Sequence, residues 1–181
     1  HTNIPEHAGA ILMMNLGHLQ PSRPSMGSWM VYGLGSENQN LPGFVAMSPR
    51  AQPRGKLANW GNSFLPGAYA GTYVNIAQMK PDQVLRNLKN QHLTRNDQRA
   101  QADLLTQLNK LHLQQQQRDQ QLEASIQTME MAFRMQFAVP EAFDTTQETK
   151  STLDMYGDSE YAKGCLLARR LVERGVRMVQ L

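Results

Sequence analysis

The segment Arg23–Met47, RPSMGSWMVYGLGSENQNLPGFVAM, constrains the fold more than any other stretch. It is punctuated at every step. Pro24 suits the first turn of a helix, where its missing N–H would have no partner anyway. Ser25 or Ser28 can cap the free backbone donors at such a start. Met26, Trp29, Met30 and Val31 supply the apolar face of a short helix. Gly33 and Gly35 permit the left-handed backbone that ends one. Ser36-Glu37-Asn38-Gln39-Asn40 is a polar turn run, Pro42-Gly43 bends the chain, and Phe44-Val45-Ala46-Met47 reads as a short buried strand. Taken alone, this is a tightly specified helix–turn–strand with no chemistry of its own.

A second unit of this kind ends the chain. Glu160–Arg174 is helical in period, with Tyr161, Cys165, Ala168 and Val172 along one face. Gly175 is placed as a C-terminal glycine, and Val176–Leu181 continues as an apolar strand. A helix running through one glycine into an apolar strand is the αβ half of a parallel unit. Ala10–Asn15 is a continuous apolar run bounded by turn residues, the pattern of a strand buried on both faces of a parallel sheet. Gly71–Ile76 is a further candidate strand. The expected class is α/β with a mostly parallel sheet.

Between these units the pattern changes. Ser48–Gly71 is rich in Pro and Gly and embeds Trp60, Phe64, Leu65 and Tyr69. Long irregular stretches of that kind are uncommon in compact domains and often functional. Pro81 starts a short helix with Val84, Leu85 and Leu88 on one face. Thr94-Arg95-Asn96-Asp97 resembles a capping box. The helix after it carries Ala100, Leu104, Leu108 and Leu111 in a row. A second helix from Asp119 carries Leu122, Ile126, Met129, Phe133 and Phe137, and Pro140 is expected to end it. Together they predict an antiparallel helical hairpin or one long bent helix, and Phe143–Asp158 reads as a linker-like loop. The organisation expected is one incomplete domain: a strand- and loop-rich region over 1–80, a helical insertion over 81–140, and a return to the sheet over 141–181.

Composition excludes several classes. The chain has 181 residues, enough for one domain with a real core. Its net charge of +3 is scattered, with no basic stripe and interleaved aromatics, so nucleic acid is not expected as a partner. The single cysteine, Cys165, rules out a disulfide scaffold and a multi-cysteine zinc site. It is expected in the core, and so are Met26, Met30, Met129, Met131 and Met135. No apolar run reaches membrane-spanning length. A chain that opens on His1 and stops inside a strand reads as a fragment, so localisation is not legible beyond possible export of a longer parent.

Several motifs then coincide in order: HTN…H over His1–His7, RPSMGSW over Arg23–Trp29, YGLGSENQNLPGFV over Tyr32–Val45, FLPGAYAGTY over Phe64–Tyr73 and CLLARRLVERGVRMVQ over Cys165–Gln180. Together they resemble one bacterial family, domain of unknown function 1501, whose members are commonly described as sulfatase-like. The resemblance implies a partial alkaline-phosphatase-like domain. It also implies metal-dependent hydrolysis of sulfate or phosphate esters, small-molecule or glycan, in the full-length parent. The family's metal motifs have no counterpart within these residues. The resemblance therefore implies a divalent metal in the parent, none bound by this chain alone, and an inactive isolated chain.

What these residues can supply is the substrate surround. Arg23 can present a planar fork to a pair of sulfate or phosphate oxygens. Ser25 and Ser28 can donate to the same anion beside a helix start. His7 and His1 are the candidates for proton transfer, with Asn3 as an oxyanion partner and Trp60 as a wall of the pocket. Each has a plainer reading: a structural arginine, helix caps, loop histidines and a core tryptophan. A different class stays open, a non-catalytic interaction protein on the same fold that binds through the Gln-rich hairpin.

Overall fold

The structure is a computed structural model and describes residues 3–49, 53–77, 94–115 and 120–181. Its centre is a three-stranded parallel sheet in the order β2-β1-β3, with β1 at Phe44–Ser48, β2 at Thr72–Asn75 and β3 at Met178–Gln180. Ala46 lies opposite Tyr73 on one side and Gln180 on the other. The described helices are α1 His7–Leu16, α2 Met26–Leu34, α3 Arg95–Gln115, α4 Gln120–Phe143, α5 Lys150–Tyr156 and α6 Glu160–Glu173, with short 3-10 turns at Lys56–Trp60, Gly67–Tyr69 and Thr145–Gln147. The fold is α/β, as the pattern predicts.

Strand alternation splits the sheet into two faces. Val45, Met47, Val74 and Ile76 join Val139, Ala142 and Phe143 of α4 and Leu167 and Leu171 of α6 in an aliphatic core. Phe44 and Ala46 point the other way, where they meet Val31 of α2 and Trp60, with Tyr73 and Met178 packed alongside.

Arg23–Met47 folds as helix, turn and strand. The Ser25 side chain caps α2 by accepting the Ser28 N–H, and Gly35 closes the helix at φ 70°. The inward face is not the expected one. Gly27, Ser28 and Val31 are buried, while Met26 and Trp29 are about half exposed. The reason is proximity: a Cβ on Gly27 would stand 2.5 Å from the Phe44 ring. Small residues bring α2 onto the sheet and leave the bulky ones outside.

Ala10–Asn15 is helix, not strand. The Glu6 carboxylate accepts the Ala8 and Gly9 N–H groups at 2.8 and 2.7 Å, and Gly17 ends α1 in the left-handed region. A continuous apolar run carries no period, and Ala, Leu and Met are strong helix formers, so local capping decides. Leu16 is the one buried residue of α1.

Pro140 does not end its helix, since α4 continues to Phe143. Val139, Ala142 and Phe143 are buried there. Arg170 of α6 supplies donors to the carbonyls at the helix end: Nε to Ala142 O and Nη2 to Glu141 O, both at 3.1 Å. Glu148 accepts from Arg170 and pairs with Arg169. Those two guanidinium groups hold its carboxyl below the usual carboxylate range.

The expected linker over 143–158 contains structure: Asp144 caps a 3-10 turn and Thr149 caps α5. On α6, Gly164, Leu166, Leu167, Arg170 and Leu171 are buried. Tyr161 and Val172 are exposed and Cys165 is only half-buried, so the expected face is rotated. A glycine again marks the closest approach, Gly164 against Ile76 and Leu181.

The capping box at Thr94 forms, with reciprocal bonds to Asp97 at 3.2 and 3.3 Å. α3 and α4 pack as the hairpin, but Leu104, Leu108 and Leu111 remain more than half exposed. Met129 is about half exposed, so neither it nor Met26 fills the core, whereas Met135 does pack against it. The helix predicted from Pro81 and the side chains of Leu122, Ile126 and Phe137 lie outside the described residues. No helix among the described residues is long and apolar enough to cross a membrane.

Candidate functional site

Open parallel sheets bind ligands beyond the carboxyl ends of their strands. Here that edge is built from Ser48, Asn75 and Gln180, all on the Phe44 side of the sheet by alternation. Beside it lies a cleft of about 440 Å³. Its walls are one flank of α1, with Ile11, Met14 and Asn15; the end of β1 at Ser48; Trp60; and the end of β3 at Gln180 and Leu181. The volume suits a small molecule.

Amide side chains fix the walls to one another. Gln180 Nε2 donates to Asn15 Oδ1 at 2.9 Å, and Asn15 Nδ2 donates to Asn59 Oδ1 at 3.4 Å. Asn59, fully buried, donates onward to the Arg54 and Lys56 carbonyls at 3.0 and 3.1 Å. The relay ties α1, β3 and the 53–62 loop together. That loop and the residue just after it are strained: Lys56, within the loop, and Ser63, which follows it, are the non-glycine residues at positive φ among those described, at 46° and 48°. Strain of this kind persists only where surrounding contacts over-determine it.

Trp60 stacks on Tyr73 with ring centroids 5.2 Å apart. Trp60 Nε1 and the Tyr73 hydroxyl are buried and lack a hydrogen-bond partner among the described residues. Buried polar groups are nearly always paired, so each such atom asks for an explanation. Arg169 Nε is also buried without a hydrogen bond, but it lies 3.5 Å from a Glu173 carboxylate oxygen. The indole has no such counterpart among the described residues, whereas the phenol has Ser48 beside it. Burial raises the Tyr73 pKa above the ordinary phenol value, and Ser48 pulls the other way. Tyr73 therefore stays neutral at physiological pH.

Of the residues singled out from sequence, Trp60 lines this cleft. Asn3, His7 and Arg23 are exposed and do not line it. Ser25 and Ser28 are buried beneath α2: Ser25 accepts from the Ser28 N–H, and the Ser28 hydroxyl donates to Gly61 O at 3.2 Å. Both hydroxyls are thus engaged inside the fold. His1 lies outside the described residues. Sequence reading passed over Asn15, Ser48, Asn59, Tyr73 and Gln180. One signal was available for Asn15, a lone amide in an otherwise apolar run.

A divalent metal is implied by the family resemblance. Among the described residues no three His, Cys, Asp or Glu side chains converge as a cation site. The cleft itself offers amides, a hydroxyl and an indole, a poor donor set for such an ion.

The parallel sheet, the edge cleft and the amide relay define an α/β protein with a ligand-sized site at its strand ends. The family described as "Protein of unknown function (DUF1501)" matches residues 1–181, and the chain belongs to it. Neither the comparison with curated proteins nor that with solved structures gave a match.

Proposed function

We propose that this chain forms the substrate-facing part of a sulfate- or phosphate-ester hydrolase of alkaline-phosphatase-like architecture. The observation that carries the reading is the position of the cleft, at the carboxyl edge of the parallel strands. The motif resemblance to sulfatase-like proteins supplies the reaction class. The described side chains do not fit a metal, so its ligands are assigned to sequence outside them and no step is routed through it here. Arg23, exposed ahead of α2, keeps a guanidinium available to an anionic group. His7, exposed at the start of α1, is the candidate for proton transfer.

The test is turnover of nitrophenyl sulfate and nitrophenyl phosphate, by this chain alone and by the full-length protein that carries it, across a panel of divalent metals. The expected result is turnover by the full-length protein only. Turnover by neither overturns the hydrolase reading. Turnover by this chain alone overturns the assignment of the metal ligands to sequence outside it.

A second reading is favoured by one observation, the exposed ridge of Leu104, Leu108 and Leu111 on α3. An apolar ridge of this kind suits a protein partner, as in a non-catalytic binding protein on the same fold. Intact Asp and His metal motifs in the flanking sequence would separate the first reading from the second.

A further inference from the structure

We infer that α1 is a hinged cover over the strand-end cleft, held shut by a side-chain bridge from Asn15 to Gln180. The inference takes the cleft as a site but does not depend on the reaction carried out there.

α1 is one wall of the cleft and supplies Ala10, Ile11, Met14 and Asn15 to its lining. The wall across from it includes the ends of β1 and β3, at Ser48, Gln180 and Leu181. Gln180 Nε2 donates to Asn15 Oδ1 at 2.9 Å, so one hydrogen bond runs from the sheet to the cover. The other bond of Asn15, to Asn59 Oδ1, is 3.4 Å and exceeds the usual N–H···O length. Both bonds join neutral amides. The net strength of one such bond corresponds to about fivefold to tenfold in an equilibrium. A bridge of that size holds a segment and still releases it.

The packing of α1 is light as well. Leu16 is its one buried residue, at the end next to the hinge. Residues 8–13 are half-buried, and His7 and Met14 are exposed. α6, by contrast, buries Leu166, Leu167, Arg170 and Leu171. Segments with few buried apolar contacts open locally, well below the free energy of global unfolding. Behind Leu16 the chain can turn. Gly17 takes φ 66°, and residues 18–24 form neither helix nor strand. The chain is fixed again at Ser25, whose N–H donates to Gly61 O at 3.0 Å. The pivot therefore lies between Leu16 and Ser25, where a glycine and a short irregular stretch absorb the change in backbone angles.

A ten-residue helix is marginal in water by itself, so α1 loses its helix when it leaves the strand ends. α1 also packs on the Lys56–Trp60 turn, so the same event uncovers Trp60. Entry to the strand ends is thereby tied to release of Asn15 from Gln180, a gate of the kind that active-site lids provide.

The experiment is hydrogen exchange of the full 181-residue chain, read at the α1 and β1 amides by mass spectrometry and at the Trp60 indole by proton NMR. In the parent chain α1 is expected to exchange at least about a hundredfold faster than β1. Asn15→Ala speeds α1 and the Trp60 indole together, about fivefold to tenfold. Gln180→Ala speeds both as well, and the double variant is no faster than Asn15→Ala, because the two substitutions remove the same bridge. Val139→Ala, in the aliphatic core on the opposite face, speeds β1 and leaves α1 unchanged, since opening α1 breaks none of those contacts.

α1 exchanging at the β1 rate in the parent chain overturns the inference, and needs no variant to be seen. So does α1 that speeds up with Val139→Ala, α1 unmoved by Asn15→Ala, or α1 that speeds up while the Trp60 indole does not. Absence of ester turnover in the full-length protein would sink the hydrolase reading and leave the cover standing.

Discussion

The two faces of the sheet are packed by different chemistry. One is closed by Val139, Ala142 and Phe143 of α4 and by Leu167 and Leu171 of α6, and its members are buried almost completely. The other carries Phe44, Ala46, Trp60 and Tyr73, with Ser25, Ser28 and Asn59 buried near them and the Trp60 indole N–H without a hydrogen-bond partner among the described residues. The first face does one thing, which is to remove apolar surface from water. The second holds polar groups at fixed positions against a cleft. Buried polar groups cost stability unless fully paired, so the second face is expected to stabilise the fold less than the first.

The comparison breaks first where packing alone matters. Leu167→Ala on the closed face removes a fully buried side chain between α6 and the sheet. Urea unfolding is expected to show a loss of about 2–5 kcal/mol. A loss well under 1 kcal/mol would mean that this face is not the stabilising one.

On the second face, Gly27→Ala forces a Cβ to 2.5 Å from the Phe44 ring. The expected cost is roughly 1–3 kcal/mol from overpacking, after setting the better helix propensity of Ala against it. A stabilised variant would show that α2 can move off the sheet freely.

The Arg169–Arg170–Glu148 cluster gives the closed face a pH dependence. Its arginines hold the Glu148 carboxyl below the ordinary range in the folded chain, while the unfolded chain returns it to that range. The unfolded state therefore binds this proton first as pH falls. The cluster's contribution is complete above the unfolded carboxylate pKa and disappears as pH drops through the lower folded value. Thermal unfolding across that acid window should flatten in Glu148→Gln. An unchanged slope would place the acid sensitivity elsewhere.

The smallest effect is expected at Trp60→Phe. It removes a donor that lacks a partner among the described residues, so the cost is that of the small cavity left by the lesser ring, about 1 kcal/mol. A loss well beyond that would mean that the indole N–H is satisfied inside the fold.

Much of the closed face was legible in the sequence. Phe44–Met47, the helix from Glu160, Gly175 and the final strand follow from turn residues, helical period and short apolar runs, and the structure has them in place. Side-chain facing was less legible. On α2 and α6 a glycine, Gly27 or Gly164, meets the neighbouring element most closely. Hydropathy points instead to Trp29 and Tyr161, both of which face outward. α1 was misread because an apolar run without polar interruptions has no period to distinguish strand from helix.

The cleft was legible only in part. Trp60 stood out in its Gly- and Pro-rich loop, but Asn15, Asn59 and Gln180 are separated widely in sequence and meet only through the fold. No local spacing announces such a relay. Pro140 misled for the same reason, because the donors that support the helix end come from Arg170.

The most direct test of the account uses the chain's two tryptophans, Trp29 and Trp60. Trp29 is 46% exposed, whereas Trp60 is 4% exposed at the cleft. Proton NMR follows their indole N–H signals in hydrogen exchange. The account predicts fast exchange for Trp29 and slow exchange for Trp60. Fast exchange for both would contradict it, and would mean that the second face of the sheet is open to water at Trp60.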